Sequence, residues 1–191
     1  MSDEVKMALD EATDAMQKSL DHLDFELSKI RAGKASPAML DGVKLDYYGA
    51  PTLLKNIANV NTPDARTITV QPWEKHMLNE IAKAIMEANL GLNPQNNGDL
   101  IIISVPMLTE ERRKDLSKRA HAEGEHAKVG IRNSRKEALD FIKTAQKDGL
   151  PEDEAKAGEA KVQDLTDKFN RKVEEMIAVK DKDIMTIVTN D

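Results

Sequence analysis

Three long segments of this chain carry apolar residues at spacings of three and four, and this periodicity constrains the fold more than any other feature. Such a stripe occupies one face of an α-helix, so each segment predicts a long amphipathic helix. The first stripe, which no proline interrupts, runs through Val5, Ala8, Ala12, Met16, Leu20, Leu23, Leu27 and Ile30. Three helices that each have one apolar face predict a three-helix bundle.

The second helical segment begins after Pro106 and ends near Gly149. Thr109 can cap its N-terminus, and the two glutamates that follow suit the positive end of a helix dipole. Its predicted inner face, partly in heptad rhythm, comprises Leu116, Ala120, Ala127, Ile131, Ser134, Ala138, Phe141 and Ala145. Gly124 and Gly130 weaken this helix by about 1 kcal/mol each relative to alanine, so some bending is expected.

The third helical segment follows Pro151, a residue that is tolerated in a first helical turn. Its predicted stripe comprises Val162, Leu165, Phe169, Val173 and Met176. All three phenylalanines, Phe25, Phe141 and Phe169, are predicted to lie on or near the stripes of the bundle. A short turn at Asp148-Gly149 joins the second helix to the third.

Residues 31–105 have a different pattern. The stretches VKLDYY, RTITVQP and DLIIISVP predict strands, and EIAKAIMEANLG predicts a short helix that ends at Gly91. Turns are predicted at Gly33, Pro37, residues 49–51, Thr62-Pro63-Asp64 and Asn93-Pro94. The fold class is therefore α+β, with a small β-rich domain of β/α/β type inserted between the first and second helices.

This arrangement predicts two domains with a hinge between them. Domain I comprises residues 1–30 and 106–191, and domain II comprises residues 31–105. Because only two short crossings join the domains, relative motion is expected there. The predicted hinge residues are Arg31, Ala32, Gly33, Val105 and Pro106.

Composition excludes several classes of protein. The chain has no cysteine, which rules out disulfides, thiolate metal sites and a cysteine nucleophile. No apolar run approaches the roughly 18–20 residues of a membrane-spanning helix, and the acidic N-terminus does not resemble a signal peptide. No nucleophile, base and orienting group form a recognisable set. We therefore expect a cytoplasmic, monomeric non-enzyme without a membrane partner, metal or cofactor.

The net charge of −6 conceals an uneven distribution. Residues 1–29 carry 3 basic and 8 acidic side chains, residues 110–147 carry 11 and 7, and residues 148–191 carry 7 and 12. Positive charge is concentrated in the stretch KVGIRNSRK, residues 128–136. A local basic patch of this kind is the electrostatic footprint of a nucleic-acid-binding surface.

Seven cations of the second helix share a sector about 100° wide beside the predicted inner face. They are Lys114, Lys118, Lys128, Arg132, Arg135, Lys136 and Lys143. Two arginines one turn apart suit phosphate groups, so this sector predicts a surface for RNA or for an acidic partner. The alternative is a solvated face with ion pairs. No aromatic residue interleaves with the cations, which favours phosphates of folded RNA over stacked single strands.

Six stretches resemble, in order, the motifs of the bacterial ribosome recycling factor family. They are KIRAGKASPAMLDG (29–42), YYGAPTLL (47–54), NVNTPDARTITVQPW (59–73), EIAKAIMEANLGLNP (80–94), VPMLTEERRKDLSK (105–118) and VGIRNSRKEA (129–138). The helix–insert–helix–helix order is also similar to that family. The resemblance therefore implies an elongated, L-shaped molecule with an outline like that of tRNA.

The resemblance also implies a function. Members of the family bind the post-termination ribosome, mainly through RNA of the large subunit, and split it with elongation factor G and GTP, which frees the messenger RNA. They hydrolyse nothing themselves. The family motif R-N-x-R matches residues 132–135, so the resemblance assigns RNA contact to Arg132 and Arg135, with Lys128, Lys136 and Arg113 as further candidates. A non-catalytic interaction module or scaffold built on the helical bundle is the alternative.

Overall fold

A computed structural model describes residues 2–31 and 33–186 of the chain. In chain order the helices and strands are α1 (Asp3–Ser28), β1 (Lys44–Tyr47), β2 (Ala50–Leu53), β3 (Ala58–Asp64), β4 (Thr67–Pro72), α2 (Leu78–Glu87), β5 (Asn93–Asn96), β6 (Ile101–Ser104), α3 (Glu110–Lys147) and α4 (Glu152–Met185). The described residues form two compact units, one of residues 2–31 and 110–186 and one of residues 33–109. No helix in these ranges combines the length and apolarity that crossing a bilayer requires.

The first unit consists of α1, α3 and α4, each of which packs against the other two. Helix α1 begins where the hydroxyl of Ser2 accepts a hydrogen bond from the amide of Val5, and acidic residues occupy its first turn. Helix α4 begins directly after Pro151, and its first turn contains three acidic residues. Their negative charges stabilise the helix by interacting with the positive end of its dipole. All eight residues of the predicted first stripe, Val5 to Ile30, are buried, so that prediction is confirmed.

The predicted inner faces of the two later helices drift by one residue in places. On α3 the buried residue is Ile142, whereas Phe141 is 37% exposed and was wrongly predicted to face the core. On α4 Thr166 and Ile177 are buried, and the predicted Leu165 and Met176 are only partly buried. A straight helix with 3.6 residues per turn rotates by about 20° per heptad away from a 3.5-residue repeat, which accounts for the shift.

The phenylalanines differ more than their sequence positions suggest. Phe169 is 2% exposed and belongs to the core, but Phe25 is 58% exposed and does not. The ammonium group of Lys29 lies 4.3 Å from the centroid of the Phe25 ring, so the exposed ring makes a cation–π contact. Phe25 and Phe141 therefore lie beside the buried stripes, and of the three phenylalanines only Phe169 lies in the core.

The helical glycines lie where two helices approach closely. A Cβ atom on Gly124 of α3 would overlap the side chain of Ile177 on α4. One on Gly130 would lie 2.6 Å from the Oγ of Ser19 on α1. These glycines therefore give up helix propensity at positions where a larger residue would have to push a neighbouring helix or side chain away.

The second unit contains a four-stranded antiparallel sheet in the order β3-β4-β6-β5 and a separate β1-β2 hairpin. Its core is apolar and includes Ile68 and Val70 of β4, Ile81 of α2, and Ile101 and Ile103 of β6. The predicted strands VKLDYY, RTITVQP and DLIIISVP contain β1, β4 and β6, so these three predictions are confirmed. The predicted short helix is present as α2, but it begins at Leu78 and ends at Glu87, before the predicted end at Gly91.

Three strands of the second unit were not predicted: β2, which contains Ala50 and Pro51 of the predicted 49–51 turn, and β3 and β5. Pro63 and Pro94 were assigned to turns, but they lie in β3 and β5. Both strands form edges of the four-stranded sheet. Proline lacks the amide hydrogen that a central strand needs, but an edge strand can direct that position away from the ladder. The turn assignments were therefore wrong because the sequence does not show which strands are edges.

Candidate nucleic-acid interface

Four of the five predicted RNA-contact residues lie within about two turns of α3. Arg132 and Lys136 are exposed, and Lys128 and Arg135 are half-buried. The buried residues Ile131 and Ser134 lie between them in sequence and turn toward the bundle. The helix therefore separates a packing face from a cationic face, as the spacing of the residues predicts. We use the name cationic face for Lys128, Arg132, Arg135 and Lys136 of α3.

Arg132 and Lys136 contribute charge that the surrounding helices do not neutralise. Within residues 2–31 and 33–186, neither side chain has an ion pair or a hydrogen-bonded partner. A guanidinium and an ammonium group that point into solvent keep all of their donors available to an incoming phosphate. These two residues are the most accessible part of the cationic face.

Lys128 is engaged with carboxylates on two helices. Its ammonium lies 3.5 Å from the Oε1 of Glu125 on α3, and it also pairs with Glu174 of α4. The hydrogen bond with Glu174 raises the pKa of Lys128, with further support from the charges of Glu174 and Glu125, while partial burial opposes the rise. The charge of Lys128 is thus neutralised locally, which makes it a poorer phosphate ligand than Arg132.

Arg135 is held by a neutral group. Its Nε donates a hydrogen bond of 2.8 Å to the Oε1 of Gln163 on α4. The Nε2 of Gln163 in turn donates to the Oδ1 of Asp167 at 3.0 Å. Arg135 is thereby oriented by a neighbouring helix without being paired directly to a carboxylate.

Arg113 does not join the other four candidates. It is 19 positions before Arg132, which corresponds to about 28 Å along a helix axis. The Arg113 side chain is half-buried, and its Nε is buried without a hydrogen-bond partner in the described chain. Its Nε is therefore shielded from solvent, unlike the exposed side chain of Arg132.

Three more cations belong to the sector that the helical wheel defines. Lys114 pairs with Glu110 at 3.4 Å, one turn earlier on the same helix. Lys118 and Lys143 are exposed, and no ion pair involves either side chain in the parts of the chain that the structure describes. The sector therefore holds both paired and open cations.

The predicted hinge residues have dissimilar surroundings. Gly33 has a φ of +76°, and a Cβ atom there would lie 2.7 Å from the Cγ of Leu108. Val105 is buried in the core of the second unit, and its amide donates a 2.7 Å hydrogen bond to the carbonyl of Arg66. Arg31 and Pro106 are exposed, and Ala32 lies outside the described residues. The two compact units divide between Thr109 and Glu110.

Sequence reasoning missed the residues of α4 that bear on the cationic face. Gln163 and Glu174 decide how Arg135 and Lys128 are held, but they lie in another helix. Local patterns within α3 contain no signal for them. An antiparallel pairing of α3 and α4 through the short 148–151 turn would have placed both residues near residues 128–135.

The chain resembles members of one protein family over most of its length. The family model described as "Ribosome recycling factor" matches residues 23–185. The ribosome-recycling factor of Flavobacterium psychrophilum is 54% identical over 187 residues, which cover 98% of this chain and 100% of that protein. The ribosome-recycling factor of Bacteroides fragilis is 51% identical over 184 residues, which cover 96% of this chain and 99% of that protein.

Two solved structures resemble this one over nearly the whole chain. A solution structure of a ribosome recycling factor has a TM-score of 0.75 and 34% identity, and it covers 98% of this chain. A second match has a TM-score of 0.60 and 44% identity and covers 95% of this chain. It comes from models for the T. thermophilus ribosome recycling factor and the E. coli elongation factor G bound to the E. coli post-termination complex.

Proposed function

The chain belongs to the ribosome recycling factor family, and from this premise we propose how it works. It binds the ribosome after termination and, together with elongation factor G and GTP, splits it into subunits and releases it from messenger RNA. Elongation factor G hydrolyses the GTP, and this chain contributes binding and mechanical coupling without a catalytic step of its own. The site of action is the cytoplasm, where terminated ribosomes are found.

The large ribosomal subunit and its RNA are the binding partner that the cationic face serves. Arg132, Arg135 and Lys136 supply the contacts, because their positive charges are not paired to carboxylates. Arginine offers a planar fork of donors that matches a phosphate group. The single observation that carries this assignment is that, in the described residues, no carboxylate pairs with Arg132 or Arg135, whereas Glu174 pairs with Lys128.

Ribosomal RNA carries one negative charge per phosphate, so such a surface binds by displacing counterions. The affinity for large subunits therefore falls steeply as salt concentration rises. A protein scaffold that used the same bundle face for an apolar partner would show little dependence on salt. Salt dependence thus separates the proposed function from the alternative.

We propose further that the two crossings of the chain allow the second unit to pivot after the bundle has bound. Two short connecting segments permit relative motion of two units when no large interface opposes it. In this mechanism elongation factor G pushes the second unit and transmits force to the contacts between ribosomal subunits. The proposal rests on the division of the described chain into two compact units.

The experiment is a splitting assay with purified post-termination ribosomes. The chain is added with elongation factor G and GTP, and the separation of subunits is followed by light scattering. Splitting is expected only when all three are present. An absence of splitting with factors from the same organism would overturn the proposed function. Splitting without GTP would overturn the role given to elongation factor G.

A further inference from the structure

A chain of hydrogen bonds runs from α4 to the cationic face on α3. The carboxylate of Asp167 accepts from the Nε2 of Gln163 at 3.0 Å, and the Oε1 of Gln163 accepts from the Nε of Arg135 at 2.8 Å. Asp167 and Gln163 are one helical turn apart, so their side chains are neighbours on α4. Arg135 comes from a different helix, 28 residues earlier in the chain.

The two bonds of Gln163 determine which way its amide group points. A carboxylate can only accept hydrogen bonds, so the amide must turn its NH₂ group toward Asp167. The guanidinium of Arg135 can only donate, so the amide must turn its oxygen toward Arg135. Both neighbours therefore demand the same orientation, and the amide is held in it from both sides.

This arrangement occupies one part of the Arg135 guanidinium and leaves the rest open. Of the five N–H groups of an arginine, the one on Nε is used by Gln163, and the four on the two Nη nitrogens remain. One N–H from each Nη together form the edge that can bind two phosphate oxygens at once. Because the side chain is already held, less conformational entropy is lost when it binds a phosphate.

The neutrality of Gln163 matters as much as its position. Lys128, which is also on the cationic face, pairs with the carboxylates of Glu125 and Glu174, whose negative charges offset its own. Arg135 is tethered by an amide, so its charge stays available. We propose that Gln163 is a positioning residue that presents Arg135 to a phosphate of ribosomal RNA. This inference rests on the proposed function of the cationic face.

The test is a double-mutant cycle on binding to purified large ribosomal subunits at constant salt. Gln163→Met keeps the length and helix propensity of the side chain and removes both hydrogen-bonding groups. It is expected to weaken binding about three- to tenfold, the factor that corresponds to ordering one long side chain. Arg135→Ala is expected to weaken binding further, and Gln163→Met added to Arg135→Ala is expected to change nothing more.

Each possible outcome is informative. An equal loss from Gln163→Met with and without Arg135 would indicate a general structural role and would overturn the inference. So would unchanged binding by Gln163→Met when Arg135→Ala is defective. If Arg135→Ala itself binds normally, the assignment of Arg135 to RNA fails, and the proposed interface fails with it rather than the role of Gln163 alone.

Helix α1 offers a matched control. Gln17 donates a 3.0 Å hydrogen bond from its Nε2 to the Oδ1 of Asp21. The two residues are four positions apart, as Gln163 and Asp167 are, but no arginine of the described residues donates a hydrogen bond to Gln17. Gln17→Met is expected to leave subunit binding unchanged. A loss of binding equal to that of Gln163→Met would show that glutamine–aspartate pairs act through helix stability, which would overturn the inference.

Discussion

Helix α3 has two faces with opposite requirements. On the packing face, Gly124 and Gly130 lie against side chains of α4 and α1, and no further atom fits without displacement. On the cationic face, Arg132 and Lys136 extend into solvent. On the packing face, the space between helices limits which side chains fit. On the cationic face, the charge of the group beside each cation determines how well that cation can bind a phosphate.

The largest expected effect comes from filling the packing face. Gly124→Leu is expected to lower the free energy of unfolding by about 3 kcal/mol, because even its Cβ would overlap the buried Ile177. Urea unfolding followed by circular dichroism measures this. Ala122→Leu, at an exposed position of the same helix, should change stability by less than about 0.5 kcal/mol. Equal stability of the two variants would contradict the tight packing.

The next effect concerns binding without stability. Arg132→Ala combined with Arg135→Ala is expected to weaken large-subunit binding roughly ten- to hundredfold, because two charge-assisted contacts are lost. A plot of the logarithm of the binding constant against the logarithm of salt concentration has a negative slope, and its magnitude should decrease by about 1.5–2. Helicity should stay as it is.

The matched control removes the same charge from other surfaces of the bundle. Arg119 on α3 and Lys168 on α4 are both exposed. Arg119→Ala combined with Lys168→Ala should leave binding within about twofold of the unmodified chain if local contacts govern affinity. An equal loss in both double variants would mean that net charge alone drives binding, and the distinction between the faces would fail.

A smaller effect on binding is expected from a change in α4 at Glu174, the partner of Lys128. Glu174→Gln removes the carboxylate that engages Lys128, so binding to large subunits should become about twofold tighter. The loss of one partly exposed ion pair should cost less than about 1 kcal/mol of stability. Filter binding at low salt measures the affinity. Weaker binding would instead show that Glu174 orients Lys128 for contact with RNA.

The smallest effect tests whether every glycine of the packing face is equally constrained. Gly130→Ala should change stability by less than about 0.5 kcal/mol, because a gain in helix propensity of about 1 kcal/mol offsets displacement of the Ser19 hydroxyl. That hydroxyl makes only a 3.4 Å hydrogen bond, to the carbonyl of Ala15, and can rotate. In a Ser19→Ala background the same substitution should stabilise the protein. Thermal unfolding distinguishes these results.

Long helices were predictable because their pattern is local and repeated. The stripe from Val5 to Ile30 recurs over seven turns, so no tertiary knowledge is needed to orient α1. Phe141 and Ile142 are adjacent and both apolar, so the pattern does not show which of them is buried. The positions of the neighbouring helices determine that Ile142 is the buried one. The edge strands β3 and β5 were missed because a proline there looks like a turn until the order of strands is known.

By itself the sequence determined the three helices, the inserted unit of strands and the concentration of cations on α3. It also matched the motifs of a family, from which Arg132 and Arg135 could be selected. Only the tertiary structure decided which cations have a carboxylate beside them: Glu174 pairs with Lys128, whereas the neutral Gln163 holds Arg135. The reason is physical, since electrostatic and hydrogen-bonding partners act through distance in space, and α4 brings these side chains to α3 from far along the chain.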